Sequence, residues 1–423
     1  MNTLKGGSIM FYKRELQQEV TKYLADREAI IILGSRQVGK TTLLKMTMQD
    51  LKSSEKVYYL DLEDPRNLDI VEEGVDNLVE YITVQGASTR RRNYVFLDEI
   101  HYMKNPSRFI KLAVDHYSDK LKLICTGSSA LGIKMKFHDA LVGRKLLFTL
   151  YPLNFREFLI FKERPELAAN LPTLPFSLKT DKTRFFMDDY LRYFYEFLIW
   201  GSYPRIVLEN TYEKKEKLLA EIVSSYIYKD IRSLFDVPDI TKFNKLVKVV
   251  ARQIGSLVNV SEIARTVGIS RNTVQNYLSI LEGSFLIVSI PPYSKSVHIE
   301  VRKAKKIYWL DNGLRNYLIG DLSVSHSRGD IGFLLENVIC AGLLKRMRSL
   351  DSLYYWRTKD RTEVDFVFKS GRRLIPIEVK ISGRIHRGFT NFMKRYKIAF
   401  GFIAHLGGFT KGRVSTVPAF WLA

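Results

Sequence analysis

The feature that most constrains this chain is the segment at residues 29–44, which reads AIIILGSRQVGKTTLL. An apolar run leads into Gly34, and the triplet Gly39-Lys40-Thr41 opens a segment of helical character. The pattern G-x-x-x-x-G-K-[ST] between a strand and a helix is typical of a phosphate-binding loop, because glycines let backbone N–H groups surround an anion. The alternative is an ordinary glycine turn. The residues predicted to surround ATP are Gly34, Ser35, Arg36, Gln37, Val38, Gly39, Lys40, Thr41 and Thr42.

Two side chains of this loop and two downstream carboxylates have separate predicted roles. Lys40 would reach the β- and γ-phosphates, and the Thr41 hydroxyl would ligate Mg²⁺. The apolar residues 94–97 are followed by Asp98 and Glu99. We expect Asp98 to hold Mg²⁺ through water and Glu99 to polarise the attacking water as a general base. An isolated acidic pair after a strand is usually a solvated turn, but its combination with Lys40 favours the catalytic interpretation.

Length and composition limit the class of protein. A chain of 423 residues with 46% hydrophobic residues is too long for one ordinary core and is not disordered. The only two cysteines, Cys125 and Cys340, lie in apolar stretches and are predicted to be reduced core residues. No apolar run approaches the roughly 20 residues of a membrane span. We therefore expect a cytoplasmic protein with no membrane partner.

The positive charge of the chain is concentrated near its C-terminus. The net charge is +21, and residues 291–423 contain 24 Lys and Arg against 10 Asp and Glu. A concentrated basic excess predicts a polyanionic partner, and nucleic acid, with DNA favoured, fits best. The alternative is a basic surface that only interacts with solvent.

Strand and helix patterns alternate through the first 150 residues, which predicts an α/β fold with a parallel sheet and ligands at its C-terminal strand ends. Ser128 or Ser129, after the predicted strand at 121–126, is a candidate nucleotide sensor; a helix N-cap is the alternative. Arg144, just before the strand at 145–150, is a candidate to stabilise the transferring phosphoryl group. It would act in cis or across a subunit boundary of a homo-oligomer, unless it forms only a surface ion pair.

Several segments resemble the AAA-type ATPases of archaea and bacteria that carry a C-terminal domain of unknown function, DUF4143. They include GSRQVGKTTLL, YVFLDEIH, ICTGSSALGIK, GRKLLFTLYPLNFREF, WGSYPRIVL, SSYIYKDIRSLF, IYWLDNGLRNYL and the closing EVDF and IPIEVK. The resemblance covers nearly the whole chain, with small departures such as Trp200-Gly201 where two glycines are more usual. It implies an ATPase core at 1–160, a helical lid at 161–240, a winged helix-turn-helix at 241–300 and a restriction-endonuclease-like α/β domain at 301–423.

Residues 260–278 have the pattern of a helix-turn-helix. Two short amphipathic segments are joined across Gly268, and Ser270 is placed to cap the second helix. Residues 285–290 would supply a wing strand. The outward side chains that could contact bases or phosphates are Arg271, Asn272, Gln275 and Asn276. The alternative is a rigid packing module without nucleic-acid contact.

The tail carries a second group of candidate catalytic residues. Strands at 364–368 and 374–380, joined by a turn at 371–373, would bring Asp365 beside Glu378 and place Lys380 on the same face. Two carboxylates and a lysine suit metal-dependent phosphodiester cleavage, with Asp365 and Glu378 holding Mg²⁺ and Lys380 positioning or activating water. This spacing resembles the PD-(D/E)xK nuclease motif, and Glu336 matches its upstream helical acid and third metal ligand. A structural ion-pair cluster is the alternative.

These patterns predict an ATP-binding and ATP-hydrolysing AAA-type protein that couples its nucleotide state to a basic, DNA-handling C-terminal region. Whether this region is also a metal-dependent nuclease is left open. Two alternatives remain: an ATP-switched regulator that binds nucleic acid or protein without cutting, and a remodelling ATPase whose tail docks protein clients. No helicase motor motif is recognisable beyond the ATPase core.

Overall fold

The computed structural model describes residues 4–5, 8–9, 12–52, 55–127, 141–172, 182–230, 237–294, 304–324, 328–358, 360, 362–382 and 387–423. The chain divides into two compact units. The first contains residues 1–151 together with 283–285, and the second contains residues 152–282 and 286–423. Along the described segments, no helix combines the length and the apolar character that a membrane crossing needs.

The first unit is built on a five-stranded, fully parallel sheet in the order β4-β5-β6-β3-β7. A short antiparallel pair, β1 and β2, precedes it. The strands are β1 (Leu4–Lys5), β2 (Ser8–Ile9), β3 (Ala29–Leu33), β4 (Val57–Asp61), β5 (Asn93–Asp98), β6 (Leu121–Gly127) and β7 (Lys145–Thr149). This sheet confirms the predicted α/β fold class.

Helices cover both faces of this sheet. They are α1 (Glu15–Thr21), α2 (Lys40–Lys52), α3 (Pro65–Glu72), α4 (Val75–Val84) and α5 (Pro106–Tyr117), with a 3₁₀ turn at Ile100–Tyr102. Successive residues of β3 enter opposite cores, with Ile31 in one and Ile30 and Ile32 in the other. Because both faces are buried, the strand reads as a continuous apolar run and not as an alternating one. Cys125 in β6 is a buried free thiol, as is Cys340 in the second unit.

The second unit begins with helices that pack through aromatic side chains. Phe155 makes edge contacts with Phe194 and Phe197, and Phe420 from the end of the chain stacks on Tyr190 with ring centroids 4.8 Å apart. The helices are α6 (Phe155–Phe161), α7 (Pro165–Asn170), α8 (Met187–Trp200), α9 (Pro204–Val207) and α10 (Tyr212–Ile222), with a 3₁₀ turn at Thr183–Phe186 and a π-helical segment at Val223–Asp230. This aromatic cluster therefore joins the predicted lid to the C-terminal residues.

The predicted helix-turn-helix region contains α11 (Ile240–Arg252), α12 (Val260–Val267) and α13 (Arg271–Gly283), followed by the antiparallel strands β8 (Ile287–Ile290) and β9 (Lys306–Trp309). Gly268 ends α12 with φ +78°, a left-handed conformation that glycine adopts without strain. The Ser270 hydroxyl then accepts a hydrogen bond from Thr273 N–H at 3.0 Å and so caps α13. The interpretation of this region as a winged helix stays a prediction.

The rest of the unit is a five-stranded mixed sheet with three helices. Strands β10, β11 and β12 are antiparallel, whereas β12, β13 and β14 are parallel. The elements are α14 (Asn312–Ile319), α15 (Ile331–Lys345), β10 (Asp351–Arg357), β11 (Glu363–Ser370), β12 (Arg373–Val379), α16 (Arg387–Arg395), β13 (Gly401–His405), β14 (Val414–Pro418) and a 3₁₀ turn at Ala419–Trp421. The predicted lid, helix-turn-helix and tail thus lie in one compact unit, and their individual boundaries stay predictions.

Helix α14 connects these parts through buried polar groups. The Asn316 side-chain amide donates to the carbonyls of Leu198 and Ile199 in α8, at 3.2 and 2.9 Å. The Arg315 guanidinium donates to the Ala251 carbonyl in α11 at 2.9 Å. Because buried polar groups are costly when unpaired, these bonds fix α14 against both helices.

Candidate functional site

The loop between β3 and α2 has the backbone geometry of a phosphate-binding loop. Gly39 has φ +101° and Gln37 has φ +60°, so the chain reverses tightly before α2. A Cβ at Gly34 would lie 2.3 Å from the Leu150 carbonyl oxygen, so only glycine fits there. The loop therefore ends at the N-terminus of α2, where backbone N–H groups and the helix dipole favour an anion.

Lys40 lies inside this loop, and its predicted contact with the β- and γ-phosphates stays a prediction. Its side chain is buried, and its ammonium donates to the carbonyls of Gly34 and Ser35 at 3.3 and 3.2 Å. The same ammonium lies 3.5 Å from Glu99 Oε1. Lys40 thus joins the phosphate loop to the carboxylate predicted as the general base.

Asp98 accepts hydrogen bonds from three hydroxyl groups on three different elements. Thr41 and Tyr59 donate to its Oδ2 at 2.6 and 3.0 Å, and Thr126 donates to its Oδ1. Asp98 itself is buried. The structure therefore brings together the two predicted Mg²⁺-binding residues, Thr41 and Asp98, and an all-oxygen donor set suits this hard cation.

Glu99 adopts a left-handed backbone conformation, with φ +58° and ψ +51°. Such a conformation is uncommon for a residue with a side chain and is frequent at functional sites. The Glu99 N–H donates to Thr126 Oγ1 at 3.0 Å, and its Oε2 lies 3.0 Å from His101 Nδ1. Burial favours a raised pKa for Glu99, but Lys40, His101 and Arg36 outweigh burial and lower the pKa to about 2. Glu99 is therefore ionised at neutral pH, as a general base must be.

Three residues of this site have no role in the sequence analysis: Tyr59, His101 and Thr126. Thr126 belongs to β6, which lies between β3 and β5 in the sheet and so reaches the Asp98 carboxylate and the Glu99 backbone N–H. The convergence of strand ends near residue 126 is visible in the sequence pattern, but the strand order is not. Ser128 and Ser129, the predicted sensors, lie outside the described residues.

Arg144 lies at the opposite end of the sheet from the phosphate loop. Its carbonyl accepts a hydrogen bond from Ala29 N–H at the first residue of β3, whereas the loop follows the last residue of that strand. A five-residue strand spans roughly 15 Å. The Arg144 guanidinium lies 2.6 Å from Asp115 Oδ1. The structure therefore does not bring Arg144 to the phosphate loop of its own chain.

The four predicted nucleic-acid-contacting residues share the exposed face of α13. Their side chains are exposed, whereas Val274, Tyr277 and Ile280 are buried on the other face. The four residues are Arg271, Asn272, Gln275 and Asn276.

In the tail, the structure gathers Asp365, Glu378 and Lys380 at adjacent strands. Lys380 Nζ lies 2.9 Å from Glu378 Oε1 and 3.7 Å from Asp365 Oδ2. The Val379 N–H donates to Asp365 Oδ2 at 2.8 Å, which fixes Asp365 against β12. Both carboxylates are buried, so they depend on Lys380 and on backbone donors for neutralisation.

One oxygen of Glu378 has no protein partner. Across the described parts of the chain, Glu378 Oε2 is buried and accepts no hydrogen bond. Burial and the neighbouring Asp365 carboxylate raise the pKa of Glu378 to about 7, although Lys380 opposes them. A buried carboxylate oxygen without a donor is a position that a cation would satisfy.

Glu336 is already held by protein groups. Lys306 Nζ lies 3.1 Å from Glu336 Oε1, and the Tyr308 hydroxyl donates to the same oxygen. Lys306 also pairs with Glu363. In the described residues, no group of three or more His, Cys, Asp or Glu side chains is arranged to hold a metal ion. The structure thus does not gather Glu336 with Asp365 and Glu378 into a three-carboxylate metal site. Glu336 instead accepts hydrogen bonds from Lys306 and Tyr308.

The sequence patterns did not reveal Lys306, Tyr308 or Glu363. Lys306 and Tyr308 alternate on one face of β9, which is the signal that could have placed both beside the same partner. The identity of this partner, Glu336, could not be predicted, because it depends on packing between segments that are distant in the chain.

Three family models match successive parts of the chain. An AAA domain model matches residues 26–159, and two models of domains of unknown function, DUF8612 and DUF4143, match residues 191–325 and 331–419. An uncharacterised protein of Haemophilus influenzae is 26% identical, with 82% of this chain and 81% of that protein covered. An uncharacterised protein of Methanocaldococcus jannaschii is also 26% identical, with coverages of 92% and 83%.

Similar solved structures include the Aeropyrum pernix ORC1 protein in complex with DNA, with 14% identity, a TM-score of 0.32 and coverages of 74% of this chain and 93% of that chain. The Thermotoga maritima RuvB Holliday junction branch migration motor has 16% identity, a TM-score of 0.33 and coverages of 66% and 91%. AMPPCP-bound DnaA from Aquifex aeolicus has 18% identity, a TM-score of 0.29 and coverages of 63% and 86%. These TM-scores are too low to assign a fold or a function to this chain.

Proposed function

The chain is an AAA-type P-loop ATPase with a C-terminal DUF4143 domain, and we propose that its nucleotide state controls a nucleic-acid-handling region in its second unit. The AAA match over residues 26–159 and the phosphate-loop geometry support ATP binding and hydrolysis by the first unit. We propose a role for the second unit that depends on this activity.

In the ATPase site, each residue has a role that follows from its contacts. Lys40 binds the phosphates, since its ammonium is fixed in the loop by two backbone carbonyls. Thr41 and Asp98 would hold Mg²⁺, which would supply charge neutralisation at the phosphate oxygens. Glu99 accepts a proton from the attacking water, because its carboxylate is ionised and adjacent to the loop.

In the second unit, we propose that the tail cleaves phosphodiester bonds with Mg²⁺ or Mn²⁺. The observation that carries this proposal is the buried trio of Asp365, Glu378 and Lys380, in which Glu378 Oε2 lacks a partner. Asp365 and Glu378 would hold the cation, which supplies charge neutralisation at the phosphate. Lys380, 2.9 Å from Glu378, would orient a water molecule.

A cleavage assay with the full chain tests this proposal. Single-stranded, duplex and branched DNA and single-stranded RNA are incubated with Mg²⁺ or Mn²⁺, with and without ATP. We expect cleavage by the wild type and none by Asp365→Asn or Lys380→Ala, while Lys369→Ala, a control lysine in the neighbouring strand β11, still cuts. All variants should hydrolyse ATP at the wild-type rate. A wild type that cuts none of these substrates refutes the nuclease.

A second candidate function is an ATP-switched regulator that binds nucleic acid or protein without cutting. It is favoured by one observation, the neutralisation of Glu336 and Glu363 by Lys306. If the cluster is structural, the wild type cuts nothing and Lys380→Ala lowers the melting temperature, because it leaves two buried carboxylates without their cation.

A further inference from the structure

Helix α11 carries a row of basic side chains along one exposed face, which we call the α11 basic face: Lys242, Lys245, Lys248 and Arg252. At 100° per residue these positions lie within about one third of the helix circumference, and they span about 15 Å along the axis. The opposite face is buried through Phe243, Leu246, Val247, Val250 and Ala251. The helix is thus apolar on one side and carries four basic residues and no acidic residue on the other.

Within the described residues, three of the four charges of this face have no acidic partner. Helix α11 contains no acidic residue, and the carboxylate of Asp239, its N-cap, lies 3.5 Å from Lys242 in a half-exposed pair. As far as the structure describes the chain, Lys245, Lys248 and Arg252 form no ion pair. Like charges three and four residues apart on a helix destabilise it. Helix stability therefore does not explain the arrangement.

Helix α10 shows the contrasting case. Its Lys217 pairs with Glu213 at 2.6 Å, and its Lys215 pairs with Glu196. Lys214 and Lys217 are exposed and three residues apart, the same spacing as Lys245 and Lys248. The two helices are thus alike in exposed lysines and differ in whether acidic partners accompany them.

The α11 basic face belongs to the same packed module as the predicted helix-turn-helix. The ring of Phe243 meets the ring of Tyr277 in α13 edge-on, with centroids 5.1 Å apart. Between α11 and α12, Gly255 N–H donates to the Ile307 carbonyl and Val258 N–H to the Lys305 carbonyl. The basic face is therefore held rigidly beside the helix that presents Arg271 and Gln275.

We propose that the α11 basic face contacts the sugar–phosphate backbone of a nucleic-acid duplex. This inference rests on the proposed nucleic-acid-handling function and assigns it a surface. A duplex presents one charge per about 1.7 Å of its axis, so a straight row of cations 15 Å long meets several phosphates. Protein interfaces are depleted in lysine and rely on aromatic and other apolar anchors. Apart from its basic residues α11 exposes only Thr241, and Ile240, Asn244 and Val249 are half-buried, so an acidic protein is the poorer fit.

The test measures affinity of the full chain for a fluorescent 30-base-pair duplex between 50 and 200 mM salt. The variant Lys245→Gln/Lys248→Gln is compared with the matched control Lys214→Gln/Lys217→Gln, which removes the same charge from α10. If both α11 lysines contact phosphates, the negative slope of log K against log salt becomes shallower by about 2 in the α11 variant only. Both variants should keep wild-type ATP hydrolysis, which shows that the fold is intact.

Three outcomes overturn the inference, and they are distinct. A wild type that binds no duplex refutes the proposed nucleic-acid function together with this surface. A wild type that binds, with equal slopes in the two double variants, refutes only the α11 assignment. If the α11 variant keeps its duplex slope but loses binding to polyglutamate, the face binds an acidic protein and not a duplex.

Discussion

The ammonium of Lys40 lies 3.5 Å from Glu99 Oε1, so the cation that binds phosphate and the carboxylate that activates water are each other's counter-ions in this structure. A bound γ-phosphate would compete with Glu99 for Lys40. Nucleotide binding and base activation are therefore coupled through one ion pair, and substitution of each partner should have a different effect.

Glu99→Gln should bind ATP with near wild-type affinity and hydrolyse it at least 100-fold more slowly, because it keeps its shape and loses the base. Lys40→Ala should instead weaken ATP binding as well as turnover. ATP affinity by calorimetry and phosphate release separate the two effects. Glu63→Gln, an exposed control at the end of β4, should change neither. Wild-type turnover by Glu99→Gln would move the base to another residue.

Thr126→Val should lower both the ATPase rate and the stability of the first unit. The hydroxyl donates to Asp98 and accepts from the Glu99 N–H, so valine leaves two buried polar groups without a partner, at about 1–3 kcal/mol each. Urea unfolding and steady-state ATP hydrolysis measure the two losses. Thr47→Val is the matched control, because among the described residues the Thr47 hydroxyl bonds only the Leu43 carbonyl, within α2. Equal effects in the two variants would deny Thr126 a role in the site.

Arg144→Ala should bind ATP but hydrolyse it slowly if Arg144 acts across a subunit boundary. Mixing this variant with Lys40→Ala, which supplies an intact arginine but cannot bind ATP, should then restore hydrolysis in mixed oligomers. Asp115→Asn is the control, since it breaks the same ion pair and leaves the arginine in place. Two results together would contradict this role: no rescue in oligomers confirmed to be mixed, and equal losses of stability for both substitutions. Arg144 would then form only a surface ion pair.

Glu378→Gln should stabilise the protein relative to the wild type in EDTA, and the difference should grow with pH. The pKa of Glu378 is about 7, above its ordinary value of 4.5, so the native state favours the protonated form. Its contribution is present below pH 4.5 and is lost as the pH rises to about 7, with a total of roughly 3 kcal/mol. Melting temperatures of both proteins from pH 4.5 to 8 test this. A difference independent of pH would contradict it.

The ATPase site shows which features the sequence can predict. Lys40, Thr41 and the carboxylates Asp98 and Glu99 follow from local patterns, because a phosphate loop and a strand ending each need only neighbouring residues. The convergence of the strand ends at Thr126 and Asp98 could be predicted, but the bonds of the Thr126 hydroxyl and the contact of Tyr59 could not, since they depend on the order of strands in the sheet. Arg144 shows the same limit. Its position before β7 can be predicted from the sequence, but its distance from the phosphate loop can be predicted only once β3 and β7 are known to be parallel.

The tail follows the same division. Asp365, Glu378 and Lys380 could be grouped, because a short hairpin fixes their register. The role of Glu336 could not be anticipated from a motif, since its partner Lys306 arrives from β9, which precedes the tail helices in the chain. A motif identifies residues of a local segment that can act together. Whether one of them pairs instead with a residue elsewhere depends on how distant segments pack.

Helix α14 sets a limit on how this protein can be divided. Its Asn316 and Arg315 bond to backbone carbonyls of α8 and α11, so the second unit shares one set of internal supports. Exchange of only the tail between two relatives would leave those carbonyls facing a helix that did not coevolve with them. Diversification of this unit is therefore easier through surface positions such as those of the α11 basic face than through recombination of whole segments.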